Sequence, residues 1–170
     1  MESEALTELD FSRNTGSPDA CIAIAALVQR TSTLAHLKLD SMALGDEGAR
    51  NLCHGLLDNC TLVELTVASN EFGHVLPSVA LQSGAAALLM SVSEHYRLTR
   101  LCLAWNSLGD GCSKHIAALL SCASCVLEVC SASPRLDASR CVARCGRAAL
   151  SVLVLTPCPC IRCSTWDGRA

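Results

Sequence analysis

Cys158, Cys160 and Cys163 stand in a C-x-C-x-x-C arrangement near the end of this 170-residue chain, with Cys141 and Cys145 upstream. Five thiols within 23 residues could supply the four soft ligands of a tetrahedral zinc site, since a C-x-x-C pair provides two from one knuckle. Against that reading, residues 131–170 contain no His and the spacings match no zinc-finger pattern, so free thiols are the expectation and no metal or other cofactor is assigned. Cys122-Ala-Ser-Cys125 is the other close pair. Nothing around it has the context of a redox helix, and it is read as repeat core or turn. The five histidines, His36, His54, His74, His95 and His115, are expected at surface or boundary positions. No Ser/His/Asp set and no phosphate-cradling glycine loop is present, so no catalytic residue is assigned and the chain is read as a non-enzyme.

The elements that must position these side chains show through a repeat. LTELDFSRN (6–14), LAHLKLDSM (34–42), LVELTVASN (62–70) and LTRLCLAWN (98–106) share one apolar pattern, L-x-x-L-x-L-x-x-N, with Met42 once in place of Asn. First leucines at 6, 34, 62 and 98 give steps of 28, 28 and 36. The longer step places an insertion of eight near 74–81, HVLPSVAL, where Pro77 suits a loop or a first helical turn. Alternation in the motif predicts a short strand, with the second and third apolar residues on one face. Each strand is followed by helical spacing: Ala20, Ile24 and Val28; Gly48, Leu52 and Leu56; Gly84, Leu88 and Val92; Cys112, Ile116 and Leu120. Ser17-Pro18-Asp19 reads as a capped helix start, and Asp46 and Asp110 are expected to do similar work. The Asn closing each motif should satisfy backbone groups at the bend that leaves the strand.

A 28-residue strand–turn–helix cannot bury its apolar side alone, and stacked units form one continuous core. The chain is therefore expected to be an α/β solenoid of about four repeats, with parallel strands on a concave face and helices on a convex one. Residues 5–130 resemble the leucine-rich repeats of the ribonuclease-inhibitor type, which also occur at the C-termini of NOD-like receptors. A fifth unit begins at Val126 and Val129, but Ser131 and Pro134 fall where Leu and Asn belong. The expected division is a repeat domain at 1–130 and an irregular or disordered Cys- and Arg-rich tail at 131–170, with a weak strand at 151–155 as an alternative within it.

Composition narrows the function. Residues 1–130 carry seven Lys/Arg against 14 Asp/Glu, and residues 131–170 carry six Arg against two Asp. An acidic body argues against phosphate-driven nucleic-acid binding. The acidic N-terminus lacks the pattern of a secretory signal, and the apolar runs are too short to span a bilayer. A cytoplasmic chain with reduced thiols is expected.

Subtracting the scaffold leaves columns of side chains on the concave face: Glu8, His36, Glu64 and Arg100; Asp10, Lys38, Thr66 and Cys102; Ser12, Asp40, Ala68 and Ala104; Arg13, Ser41, Ser69 and Trp105. The candidate partner-binding residues are Glu8, Asp10, Arg13, His36, Lys38, Asp40, Glu64, Arg100 and Trp105, with Trp105 and Arg100 at the centre because Trp and Arg dominate interface hot spots. The expected function is a protein-interaction or scaffold module whose partner is another protein. Two alternatives stand beside it. Repeats of this type occur in activators of small GTPases, which would give Arg13 and Asn14 a role. The chain could also be a fragment without independent activity, because a solenoid needs polar caps that neither end of the pattern supplies, and raw ends predict marginal stability or self-association.

Overall fold

The computed structural model describes residues 5–73, 83–108, 112, 114–116, 119 and 128–130. Strands β1 (Glu8–Asp10), β2 (His36–Lys38), β3 (Glu64–Thr66), β4 (Arg100–Cys102) and β5 (Glu128–Cys130) form one sheet, parallel throughout, in chain order. Helices α1 (Pro18–Arg30), α2 (Gly45–Leu57) and α3 (Gly84–Glu94) follow the first three strands. Each helix packs on the next, α1 on α2 and α2 on α3. Residues 112, 114–116 and 119 are helical in the fourth unit. Pairing joins equivalent repeat positions: Glu8 to His36, His36 to Glu64, Glu64 to Arg100 and Arg100 to Glu128. No helix among the described residues is long and apolar enough to cross a membrane. The insertion near 74–81, His74, Asp110, Leu120, the Cys122/Cys125 pair, the tail at 131–170 and its Cys141, Cys145, Cys158, Cys160 and Cys163 lie outside the described residues.

The core is the set of leucine columns between sheet and helices. Leu34, Leu37, Leu39, Leu62, Leu65, Leu88, Leu101 and Leu103 are fully buried together with Phe72. The helical spacings hold, with Ile24 and Val28, Gly48, Leu52 and Leu56, Gly84, Leu88 and Val92 all inward. Gly55 sets the helix spacing, because a Cβ there would lie 2.6 Å from the Ala25 carbonyl oxygen and push α2 off α1. Ser17 caps α1 as expected: its hydroxyl accepts from the Ala20 N–H at 3.2 Å, with Pro18 in the first turn. Ser83 caps α3 in the same way through Ala86. Asp46 differs from expectation. The N-cap of α2 is Leu44, without a side-chain bond, and Asp46 lies inside the first turn, where its Oδ1 accepts from Gly73 N–H at 3.0 Å. Its carboxylate ties the second unit to the third and caps nothing.

Two polar ladders run through this apolar stack, one at each end of the strands. At the strand exit, Asn106 is buried. Its Oδ1 accepts from the N–H groups of Asn70 (2.9 Å) and Phe72 (3.2 Å), and its Nδ2 donates to the Val67 carbonyl (2.9 Å). Asn70 repeats the pattern one unit earlier, accepting from Met42 N–H and donating to the Leu39 carbonyl. Each Asn therefore serves the bend of the preceding unit as well as its own. Met42 ends the series, and there the Gly16 N–H takes the Met42 backbone carbonyl at 2.8 Å. Asn14 is exposed and donates only to the Phe11 carbonyl of its own turn.

The second ladder joins helix ends to the next strand. Thr31 Oγ1 accepts from Leu34 N–H, Asn59 Oδ1 from Leu62 N–H, and His95 Nδ1 from Leu98 N–H. Asn59 Nδ2 also donates to the Val28 carbonyl at 2.6 Å, and His95 Nε2 pairs with Asn59 Oδ1 at 3.3 Å. This corrects the surface or boundary position expected for His95, which is buried with both ring nitrogens bonded, one to the Leu98 N–H and one to the Asn59 side chain. Since Nδ1 accepts an N–H, the neutral ring carries its proton on Nε2. Burial holds its pKa below the ordinary 6.5, against the opposing pull of the bond to Asn59.

Two outcomes follow. Replacing Asn106 by Ala strands two buried N–H groups and a carbonyl, and should lower the unfolding free energy by about 3 kcal/mol in a denaturant melt, with Asn14→Ala below about 1 kcal/mol. His95 is neutral in the fold and takes up a proton more readily when unfolded. Its share of stability is thus complete above pH 6.5 and lost as the pH falls through the depressed folded value. Urea melts from pH 7.5 to 5 should show this fall, and His95→Asn, which places the Asn59 side chain type in the same column, should flatten it.

Candidate functional site

A row of charged side chains from successive strands lies along the concave face. The in-register sheet makes this arrangement, because positions 28 or 36 apart become direct neighbours. The first row is Glu8, His36, Glu64 and Arg100, and β5 adds Glu128 at the same register. Glu64 is its hub. Its Oε2 lies 3.1 Å from His36 Nδ1 and 3.1 Å from Arg100 Nη1, and its side chain is mostly buried between them. Lys38 crosses from the second row to Glu8 with Nζ to Oε1 at 2.6 Å. Hydrogen bonding and charge from Lys38 hold Glu8 below its usual carboxylate range, and the same pair raises Lys38. Pairs this exposed are screened by solvent and fix side-chain positions more than they add stability.

Asp10 and Asp40 have different environments. Asp10 is exposed and accepts from the Ser12 N–H at 2.9 Å, and bonds from Ser12 keep its carboxyl below the ordinary range. Asp40 is half-buried. Its Oδ1 accepts from Ala68 N–H at 2.7 Å and its Oδ2 from Thr66 Oγ1 at 3.1 Å. Burial nevertheless raises its pKa, outweighing these two bonds. In the neighbouring unit Ser12 Oγ accepts from Asp40 N–H at 3.1 Å, so the column Ser12, Asp40, Ala68 forms a short ladder that stops at the first alanine.

Thr66, Ala68, Cys102 and Ala104, all placed by the sequence on the outward columns, are buried. Asp40 explains the first two, since it bonds the hydroxyl of Thr66 and the amide of Ala68. The second and third rows therefore divide into a charged half, with Asp10, Lys38 and Asp40, and a small-residue half over β3 and β4, while the first row stays charged from Glu8 to Arg100.

Arg13 and Trp105 belong to the turn at the strand exit, away from the charge row. With Ser41 and Ser69 they form one column whose backbone is left-handed throughout, φ 66°, 57°, 54° and 58° from Arg13 to Trp105. Residues other than Gly avoid this region, and a bulky side chain there is uncommon. Trp105 is 55% exposed, as expected of an indole outside the core. Arg100 opens β4 and Trp105 lies in the turn that follows the strand. They bracket the small buried Cys102 and Ala104 and do not form one contact point. Among the described residues no three His, Cys, Asp or Glu side chains gather as a metal site would.

Two features escaped the sequence reading. The Thr31, Asn59 and His95 column uses three residue types, so no letter repeats. Asp40's burial depends on Thr66 and Ala68 one unit away.

No family model matches the chain. Curated relatives do. Mouse NACHT, LRR and PYD domains-containing protein 3 is 33% identical over 110 residues, and human NACHT, LRR and PYD domains-containing protein 14 is 32% identical over 109. Chicken leucine-rich repeat-containing protein 45 is 28% identical over 108. Each match takes 64% of this chain but only 10%, 9% and 15% of those proteins. Among solved structures, leiomodin-1 actin-binding site 2 superposes with a TM-score of 0.60 at 14% identity, over 85% of this chain and 81% of that one. The shared feature is the leucine-rich-repeat fold.

Asp40 gives a test of the charged half. Its folded pKa lies above the unfolded 3.8, so protonation favours the fold and stability falls as pH rises through the folded value. Asp40→Asn keeps the acceptor for Ala68 and removes the buried charge. Melts at pH 7 should show the variant at least as stable as the parent, and the fall between pH 4 and 7 that belongs to Asp40 should disappear.

Proposed function

We propose that this leucine-rich-repeat chain is a protein-interaction module that presents its concave face and strand-exit turn to another protein. The observation that carries the reading is Trp105, an exposed indole held in a left-handed turn where the preceding units place Arg13 and two serines. A bulky side chain in a disfavoured backbone region stays there when the surroundings over-determine it, and such positions cluster at functional sites. The charge row supports the same reading. Glu64 fixes His36 and Arg100, and Lys38 fixes Glu8, so the face meets a partner with its charges already ordered. Ordered charges cost less side-chain entropy on binding and discriminate between partners by sign.

The module is assigned to the repeat body, residues 1–130, with the cytoplasm as its compartment. The matched relatives are much longer proteins, and we read this chain as offering the kind of surface that one part of such a protein offers. The leiomodin-1 neighbour, by its name, binds actin, which supports a protein as the class of partner for this scaffold.

The test separates binding from folding. Trp105→Gly removes the indole and at the same time frees the left-handed turn, so it should keep or raise the melting temperature. Combined with Arg100→Ala, it should abolish capture of the partner in a pull-down while circular dichroism stays unchanged. Persistent capture by a folded double variant contradicts the assignment of this face. A GTPase-stimulation assay is the control for catalysis, and stimulation above background would replace the binding reading.

A further inference from the structure

Among the described residues β1 is an edge strand of the sheet, and its backbone is oriented for another strand. The inner strands show which groups reach backwards. His36 N–H donates to the Thr7 carbonyl at 3.0 Å, and the Lys38 carbonyl accepts from Phe11 N–H at 2.9 Å. Glu64 N–H and the Thr66 carbonyl repeat this toward β2, and Arg100 N–H and the Cys102 carbonyl toward β3. By register the equivalents in β1 are the Glu8 N–H and the Asp10 carbonyl. They point away from β2, a donor and an acceptor with the spacing each inner strand offers to its predecessor.

The side chains around this edge are just as incomplete. Leu34, Leu62 and Leu98 are buried, whereas Leu6 in the same column is 53% exposed. Leu9 and Phe11 are half-buried where their counterparts are sealed. Leu27 is exposed, and its counterpart Gly55 lies against the preceding helix. Above this apolar shelf stand Glu8 and Asp10, both on the concave side. The row beyond Glu8 alternates acid and base, Glu8, His36, Glu64, Arg100, so the next place outward is matched by a base.

Those two acids decide the occupant. Antiparallel pairing of β1 with a second copy would set Glu8 opposite Asp10 twice, and parallel pairing would set like against like. Like charges directly opposite destabilise a strand pair. We propose that the β1 edge binds, by parallel strand addition, an extended segment of another protein with the pattern basic–apolar–basic. The two bases face Glu8 and Asp10, the central residue packs beside Leu9, and a further apolar residue reaches Phe11. Main-chain bonds supply affinity and the alternate side chains supply selectivity, as in other strand-addition complexes. This site is separate from Trp105.

The probe is a fluorescein-labelled peptide, Gly-Thr-Lys-Val-Arg-Val-Thr, titrated with the 170-residue chain at low ionic strength and read by anisotropy. Saturable binding is expected, weakened at least ten-fold by Glu8→Lys with Asp10→Lys. It should be lost with Glu8→Pro, which removes the outward N–H and the side-chain pair with Lys38 but no backbone bond to β2, and only weakened with Glu8→Ala, which removes the pair and keeps the N–H. Methylating the amide nitrogen of the second valine, which the register sets against the Asp10 carbonyl, should abolish binding with the protein unchanged. A peptide with Glu and Asp in place of Lys and Arg should not bind, and Trp105→Gly should bind the basic peptide normally. Absence of saturable binding overturns the proposal, as does binding indifferent to both Glu8→Pro and the methyl group. Sedimentation showing self-association that Glu8→Pro abolishes would also overturn it, giving the edge to a second copy.

Discussion

The second and third units leave their strands through bends whose N–H and C=O groups are buried, and a side chain from the following unit pairs them. Asn106 serves Asn70, Phe72 and Val67, and Asn70 serves Met42 and Leu39. A buried backbone group without a partner costs about 1–3 kcal/mol. The leucine columns supply the driving force for stacking, but leucine against leucine tolerates sliding. The Asn ladder does not, because a slip of one residue removes several bonds together. The parallel register of the sheet, and with it every row of concave side chains, depends on that constraint.

The ladder also accounts for what the sequence revealed. Leucine spacing and a recurrent Asn are letters that repeat, so strands, helices and their order could be read directly. Ser17 before Pro18 announced its cap for the same reason, as a local pattern. Asp46 misled because an acid after Leu-Gly resembles a cap, while the fold sends its carboxylate to Gly73 in the next unit. His95 misled more deeply. Its column is Thr31, Asn59, His95, three side chains sharing only an acceptor for the N–H of the first leucine. A common hydrogen-bonding role written in different residues leaves no periodic signal.

The order of the concave rows was legible in the sequence, and the environment of each side chain was not. Three of the four predicted columns form as rows and the fourth lies in the strand-exit turn, yet the sequence treated Glu64, Asp40 and Asp10 as equivalent acids. Glu64 sits between a histidine and an arginine, Asp40 sinks onto Thr66 and Ala68, and Asp10 spends an oxygen on its own turn. The left-handed column was invisible too, since Arg, Ser, Ser and Trp give no hint of a conformation that Gly favours. The same left-handed backbone recurs in all four units, under Arg13, Ser41, Ser69 and Trp105.

The most direct measurement of the central claim is amide hydrogen exchange on Asn106→Ala beside the parent chain. If each Asn holds the preceding unit's bend, the amides of Asn70 and Phe72 should exchange much faster in the variant, while Met42, held by Asn70, keeps its protection. Acceleration confined to the variant's own turn, with Asn70 and Phe72 still protected, would contradict the account.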